Sequence, residues 1–140
     1  MTNFGKANAK GRSAKPSTQY FTQHHHSWFQ FPSRAWLALP QGAKMLWMTL
    51  HSYYNGHNNG SIHLSIRKAT KLLSCAKGST EAWFKELEEK GFIKKTQNGF
   101  LGIDGKGIAS KWEMTHLGKG GTRATKDFEK WENLKSHPTK

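Results

Sequence analysis

The fold of this chain is decided by residues 66–93, which read IRKATKLLSCAKGSTEAWFKELEEKGFI. Ser65 can cap a helix over residues 66–73, because a serine hydroxyl accepts a hydrogen bond from the first backbone N–H groups of a helix. After a short turn, a second helix is expected from about residue 79 to residue 90, where a glycine ends it. An apolar strand over residues 92–96 follows at once. The stretch therefore predicts two helices joined by a tight turn, with a strand behind them.

One more helix and two more strands are expected around this stretch. Pro40 suits the first turn of a helix. The apolar residues after it recur at the spacing of one helical face, and they are Ala43, Leu46, Trp47, Leu50 and Tyr54. A short strand from residue 61 follows from the alternation of Ile62, Leu64 and Ile66. Residues 97–107 contain four glycines and predict a loop, from which a strand over residues 109–115 returns. The fold class expected is α+β, mainly α, with three core helices and a small antiparallel sheet.

The two helices of the pair each have an apolar side that is expected to be buried. In the first helix, Ala69, Leu72 and Leu73 are expected to face inward. In the second helix, Phe84 and Leu87 form the predicted buried stripe, and Thr80 is a candidate both for this stripe and for contact with DNA. The charged residues between these positions are therefore expected to face solvent or a partner.

The positive charge of the chain is large and unevenly distributed. The 140 residues carry a formal net charge of +13, from 22 basic and 9 acidic residues. Residues 1–80 contain no Asp or Glu, whereas residues 81–140 contain all the acidic residues. A positive charge of this size points to a polyanionic partner, although a basic surface without a partner is the alternative. The electrostatic contact is expected mainly ahead of the second helix of the pair.

The chain is expected to contain one domain with a segment on each side. Residues 1–19 are rich in Lys, Gly, Ala and Ser and predict a disordered basic arm. Residues 20–117 form the predicted domain, including an aromatic N-terminal extension. Residues 118–140 form a predicted C-terminal tail, in which a short helix would place Phe128 and Trp131 against the core.

Several classes of protein are disfavoured by the composition. The single cysteine allows no intrachain disulfide, and no apolar run approaches the ~20 residues of a membrane span. The residues His24, His25 and His26 are consecutive and would point in different directions, which makes a poor metal site. Paired catalytic groups and a phosphate-binding glycine loop with its Lys-Ser/Thr are not evident. We therefore expect a cytoplasmic protein that is not an enzyme and has no cofactor, no metal and no membrane partner.

The order of these elements resembles the winged helix-turn-helix superfamily, and more narrowly a group of small bacterial and phage-associated helix-turn-helix proteins. The similar segments are YNGHNNG at 54–60, LSIR at 64–67, ELEEKGFI at 86–93 and KWEMT at 111–115. The resemblance covers about residues 28–117. It implies a winged helix-turn-helix fold, in which the second helix of the pair enters the major groove of DNA and the β-hairpin forms a wing.

The sequence departs from this family's pattern at three places. The turn is usually similar to Gly-Ile-Ser and here reads Ser-Cys-Ala, so that Cys75 takes the place of a buried aliphatic residue, a packing role rather than a redox role. Similar proteins often carry acidic residues where this chain has Lys68 and Lys71, which favours phosphate binding. They also tend to carry a basic residue near Ala82, and this chain lacks one there. Its absence weakens the expectation of base contacts from the middle of the helix.

The resemblance implies three groups of DNA-binding residues. Those expected on the exposed side of the recognition helix are Lys77, Ser79, Thr80, Glu81 and Lys85. Those expected to anchor phosphates from the first helix of the pair are Arg67, Lys68 and Lys71. Those expected on the wing and its strands are Lys94, Lys95, Lys106 and Lys111. Glu81 has two interpretations, since it can accept from a cytosine amino group or stabilise the first turn of its helix.

The function expected from these features is sequence-specific binding of double-stranded DNA, as a transcriptional regulator of a bacterial mobile element or phage. A replication accessory that binds origin DNA is one alternative. A winged helix that binds a protein, such as a phage inhibitor of a host machine, is another. A homodimer also stays open, with the aromatic N-terminal segment or the tail around Phe128 and Trp131 as its surface.

Overall fold

The computed structural model describes residues 21–101 and 107–131. The helices in these ranges are α1 (Ser27–Gln30), α2 (Arg34–Leu37), α3 (Gln41–Ser52), α4 (Ile66–Leu73) and α5 (Lys77–Glu89). The strands are β1 (Ile62–His63), β2 (Ile93–Gln97), β3 (Phe100–Leu101), β4 (Gly107–Ile108) and β5 (Lys111–Met114). A 3₁₀ helix, Asp127–Lys130, follows the last strand. None of the helices described is long and apolar enough to cross a membrane.

Helix α3 forms the centre of the helical core. Its apolar spacing places Ala43, Leu46, Trp47 and Leu50 on one face, and all four are fully buried. This face packs mainly on α5 and also on α4. The helix begins directly after Pro40, whose missing N–H costs nothing at a helix start. The predicted helix is therefore confirmed, as are four of the five residues of its predicted buried face. Tyr54, the fifth, lies beyond the end of α3 at Ser52 and is partly buried.

The main sheet has three antiparallel strands in the order β1-β5-β2. Trp112 of β5 pairs with Ile62 on one side and with Lys95 on the other. The strands β3 and β4 form a separate two-stranded hairpin between β2 and β5. Buried Asn59 fixes the end of β5, because its Nδ2 donates to Met114 O (3.0 Å) and its Oδ1 accepts from Met114 N (2.7 Å).

A cluster of aromatic rings joins the N-terminal extension to the C-terminal segment. The ring of Trp28 lies 4.8 Å from the ring of Trp47 and 5.0 Å from the ring of Phe128, measured between centroids. Phe128 in turn stacks on Phe92 with an interplanar angle of 4°. The docking of Phe128 on the core, which the sequence predicts, is confirmed, and Trp131 packs against the core in a partly buried position.

The fold class predicted from the sequence is confirmed, because the described residues form a mainly helical α+β domain with a three-helix core and a small antiparallel sheet. This arrangement is compatible with a winged helix-turn-helix. The predicted strand through Leu64 and Ile66 is wrong beyond His63, since β1 contains two residues. The predicted arm over residues 1–19 lies outside the described residues, as do residues 132–140 of the tail.

Candidate nucleic-acid interface

The turn between α4 and α5 is tight and has a defined backbone geometry. Ser65 caps α4 as predicted, because its hydroxyl accepts from Lys68 N (3.0 Å). Ser74 ends α4 in the left-handed conformation with φ = 51°, a position that glycine usually takes. Helix α5 begins at Lys77, two residues before the predicted start, and Ala76 before it has no side chain that could cap the helix. The first N–H groups of α5 are therefore left for solvent or for a bound anion.

Thr80 holds the two helices together from inside the turn. It is fully buried, and its hydroxyl accepts from Thr70 Oγ1 (2.9 Å) and donates to Ala76 O (3.3 Å). Cys75 Sγ lies 3.0 Å from the same hydroxyl and is partly buried. The prediction that Thr80 is exposed for phosphate contact is therefore wrong, because the residue faces the α4–α5 junction. Its neighbour Ser79 is partly buried.

The outer side of α5 alternates charges of opposite sign. Lys77 Nζ lies 3.9 Å from Glu81 Oε1, and Lys85 Nζ lies 3.9 Å from Glu89 Oε1. Both lysine side chains are about three-quarters exposed, at 76 % and 75 %. Exposed pairs at i, i+4 contribute only about 0.3–0.5 kcal/mol, so either lysine can leave its partner for a phosphate or a base. Lys77, Glu81 and Lys85 are thus accessible on α5.

Two small residues separate these charges on the exposed side of α5. Gly78 and Ala82 are both exposed and lie one turn apart. A Cβ atom added to Gly78 would meet no atom within 4 Å. The backbone of the first two turns is therefore open to close approach by a partner.

Helix α4 presents cations without acidic neighbours on the same helix. Arg67, Lys68 and Lys71 are all exposed, and none of them takes part in an ion pair among the described residues. Leu72 is also on this side and is 48 % exposed, so the prediction that it faces inward is wrong. Ala69 alone in α4 is fully buried, because the helix turns only a narrow face to the core.

The predicted wing residues differ in how accessible they are. Lys94 Nζ lies 3.0 Å from Asp127 Oδ2, and the hydrogen bond from Lys94 holds the pKa of that carboxyl below its ordinary value. Lys95 is exposed, with its Nζ 5.2 Å from the centre of the Trp112 ring. Lys111 is partly buried, and Lys106 lies outside the described residues. Among the wing lysines that the structure describes, Lys95 alone is therefore both exposed and outside an ion pair.

A small cleft separates α5 from the sheet. It has a volume of about 180 Å³ and is lined on the helix side by Glu81, Lys85 and Glu88 and on the sheet side by Lys95 and Ser110. The floor of the cleft is apolar. Carboxylates and amines meet there in equal number, so this cleft does not by itself select an anionic partner.

Three histidines, of which His51 is buried and the other two are partly buried, form a cluster that the sequence did not predict. The ring of His51 lies 5.1 Å from that of His24 and 4.6 Å from that of His116. Burial, and then the charge of His24, lower the pKa of His51 to about 4. Burial, and then the charges of His51 and His24, lower the pKa of His116 to about 3. One feature of the sequence indicated that a histidine would be buried: His51 follows Leu50 on the buried side of α3.

The histidine cluster does not have the arrangement of a metal site. Among residues 21–101 and 107–131, no group of three or more His, Cys, Asp or Glu side chains could hold a metal ion. His25 and His26, the other two members of the triplet, are exposed and separate from the cluster. The three rings act in packing, within the same aromatic core as Trp47.

One comparison with known proteins bears on this geometry. A family described as "Helix-turn-helix domain" matches residues 37–93, which include α3, β1, α4 and α5. The chain has no significant match among curated proteins or solved structures. The matched segment includes the helix pair, its tight turn and the apolar residues that hold α3 against α5. Residues 37–93 of this chain are therefore similar to a helix-turn-helix domain.

Proposed function

We propose that this protein binds double-stranded DNA in a sequence-specific manner and acts as a transcriptional regulator in the cytosol of a bacterium, on a mobile element or phage. In this proposal α5 enters the major groove with its N-terminal end first, and the protein has no enzymatic activity. The observation that carries the proposal is the exposed cationic side of α4, which lies next to the uncapped start of α5. DNA phosphates are the ligands that such a surface fits best.

The contact between Thr70 and Thr80 brings the cationic side of α4 close to the start of α5. Lys71 follows Thr70 in α4, and Ser79 precedes Thr80 in the first turn of α5. Phosphate binding by α4 would therefore place the first turn of α5 at the DNA. There Lys77 and Lys85 can contact guanine acceptors or phosphates, and Glu81 can accept from a cytosine amino group.

A DNA-binding role at a replication origin would use the same surface. Such a protein and a regulator differ in the sequence that they select and in their partners, but not in the chemistry of the contact. The sequence of the DNA sites that the protein selects is therefore the property that separates these two roles.

The glutamates of α5 favour a second candidate, a domain that binds another protein. Four glutamates lie on this helix, namely Glu81, Glu86, Glu88 and Glu89. Phosphate repels carboxylates, so a helix of this composition suits a basic protein surface as well as a DNA groove. In this candidate the cations of α4 would bind acidic residues of the same partner.

Selection from a random pool of duplex DNA tests the proposal. A specific binder should enrich one motif, and a double variant Lys77→Ala/Lys85→Ala should weaken binding to that motif. The matched control is Lys119→Ala/Lys130→Ala, which removes two exposed cations from the C-terminal segment. This control has the same net charge as the Lys77→Ala/Lys85→Ala variant. Absence of binding at low salt would exclude DNA as the partner and favour the protein-binding candidate.

A further inference from the structure

A cleft lies between the N-terminal extension and the 3₁₀ helix, away from the nucleic-acid interface. It has a volume of about 390 Å³, which is within the ~300–1,000 Å³ of sites that hold small molecules. None of the residues that line it belongs to α4 or α5. The residues that decide its chemistry are His25, Trp28, Phe31, Lys126, Phe128 and Glu129, and we call this site the aromatic cleft.

Three aromatic side chains provide the apolar surface of the aromatic cleft. Phe128 is buried and Trp28 is partly buried, with 5.0 Å between their ring centroids. Phe31 is 80 % exposed, although removal of water from a phenylalanine side chain is favourable. An apolar or aromatic group of a ligand in the cleft would therefore gain free energy by covering Phe31.

The aromatic cleft also has two charged side chains of opposite sign. Lys126 and Glu129 both line it, and both are exposed. Neither takes part in an ion pair, with the other or with any residue in the described ranges 21–101 and 107–131. His116 also lines the cleft and is neutral at pH 7, because burial above all lowers its pKa to about 3. One ammonium and one carboxylate of the protein are therefore available to a ligand.

The backbone holds these two charged residues in one turn. Lys126 has the left-handed conformation with φ = 49°, which residues other than glycine seldom adopt. Its N–H donates to Thr115 O (2.8 Å), and its carbonyl accepts from Glu129 N (3.0 Å). Backbone strain that the surroundings maintain is typical of sites that bind a ligand. The position of both charges is thus set before a ligand arrives.

His25 adds a hydrogen-bond donor to the aromatic cleft. Its Nδ1 accepts from Ser27 N (3.2 Å) and lies 2.8 Å from Ser27 Oγ. A neutral ring whose Nδ1 accepts carries its proton on Nε2, so that the Nε2–H group of this exposed ring is available to a ligand. A carboxylate is the group that such a donor and the Lys126 amine both fit.

We propose that the aromatic cleft binds a free α-amino acid with an aromatic or apolar side chain. The carboxylate of the ligand binds Lys126 and His25, its ammonium binds Glu129, and its side chain packs among the three aromatic rings. A simple anion would be repelled by Glu129 and a simple cation by Lys126, so a zwitterion is the class of ligand that both charges favour. This binding does not depend on DNA, and its test requires none.

Isothermal titration calorimetry of the full chain at neutral pH with three probes tests the proposal. L-phenylalanine should bind with a dissociation constant of about a millimolar or lower. The analogue 3-phenylpropanoate lacks the ammonium and 2-phenylethylamine lacks the carboxylate, so each should bind about fivefold more weakly or worse. Equal affinity for all three probes, or no saturable binding of L-phenylalanine up to its solubility limit, would overturn the proposal.

Two charge variants assign each end of the ligand. Lys126→Gln should weaken the binding of L-phenylalanine and 3-phenylpropanoate but not of 2-phenylethylamine, and Glu129→Gln should weaken L-phenylalanine and 2-phenylethylamine but not 3-phenylpropanoate. The matched controls are Arg123→Gln and Glu88→Gln, which remove the same charges at exposed residues outside the cleft and should bind like the wild-type protein. Losses of the same size in the controls would mean that net charge, and not the cleft, determines binding.

The aromatic surface has a control of equal exposure. Phe31→Ala should weaken the binding of L-phenylalanine, because it removes one ring of the cleft. Phe21→Ala removes a phenylalanine that is 79 % exposed, against 80 % for Phe31, and does not line the aromatic cleft. This control should bind like the wild-type protein. A loss of affinity in both variants, or in neither, would contradict the proposed site.

Discussion

Trp83 of α5 lies directly on Gly42 of α3. A Cβ atom built on Gly42 would come 2.0 Å from Trp83 Cζ2, a distance that no real contact tolerates. Helix α5 therefore approaches α3 as closely as it does because residue 42 has no side chain. This contact fixes the position of the proposed recognition helix relative to the core.

Replacement of Gly42 by alanine should destabilise the protein. The added methyl group must displace the Trp83 indole, and overpacking of this kind costs about 1–3 kcal/mol. The gain in helix propensity, up to about 1 kcal/mol, offsets only part of this loss. Urea denaturation followed by tryptophan fluorescence measures the difference.

The control for this substitution is Gly78→Ala, at a glycine of α5 that has open space around its Cα atom. That variant should be as stable as the wild-type protein or more stable, because it gains helix propensity without a clash. Equal stability of the two variants would mean that the Gly42–Trp83 contact does not restrict the helices.

Replacement of Thr80 by valine should reduce stability and leave the DNA-facing surface unchanged. The substitution keeps the shape of the side chain and removes the hydroxyl that accepts from Thr70 and donates to Ala76. Loss of one buried hydrogen-bonding group costs about 1–3 kcal/mol. Thermal unfolding should show this loss, whereas the affinity of the folded variant for DNA should equal that of the wild-type protein. If the fully folded variant binds DNA more weakly than the wild-type protein, Thr80 instead contacts the DNA.

The free energy of unfolding should fall in mild acid. The pKa of His51 is lowered from 6.5 to about 4, and that of His116 to about 3, so between these values and 6.5 only the unfolded chain binds the protons. The stability that the two neutral histidines contribute is fully present above pH 6.5. It is lost progressively as the pH falls toward 4 for His51 and toward 3 for His116. The slope is at most about 1.4 kcal/mol per pH unit for each histidine.

Substitution of one histidine tests this pH dependence. His51→Gln should make the decline between pH 6.5 and pH 4 shallower, whatever its effect at neutral pH. His63→Gln is the control, because His63 is exposed on β1. A decline of the same slope in the His51 variant would show that acid destabilises the protein through other groups.

The local features of the fold could be predicted from the sequence because each depends on neighbouring residues. The serine hydroxyl before α4, the apolar spacing of α3 and the glycine after α5 act within one or two turns. They predicted the three core helices and the strand behind them. Phe84 and Leu87 are buried as expected, for the same reason.

The errors concern residues whose surroundings come from distant parts of the chain. Leu72 has the spacing of a buried residue, yet α4 turns too narrow a face to the core to cover it. Thr80 lies in the first turn of α5, where a polar residue is usually exposed, but α4 provides the partner that buries it. The histidine cluster joins residues 24, 51 and 116, and no pattern within a single element indicates such a contact.

The measurement that tests the account most directly is fluorescence anisotropy of duplex DNA over a salt series. The comparison is between the wild-type protein, the triple variant Arg67→Gln/Lys68→Gln/Lys71→Gln, and a control of equal charge, Lys119→Gln/Arg123→Gln/Lys130→Gln. If the α4 cations contact phosphates, the slope of log K against log salt concentration should become shallower in the first variant alone, by about 0.9 for each contact removed. The same slope in both triple variants, or no binding by the wild-type protein at low salt, would contradict the proposed DNA surface.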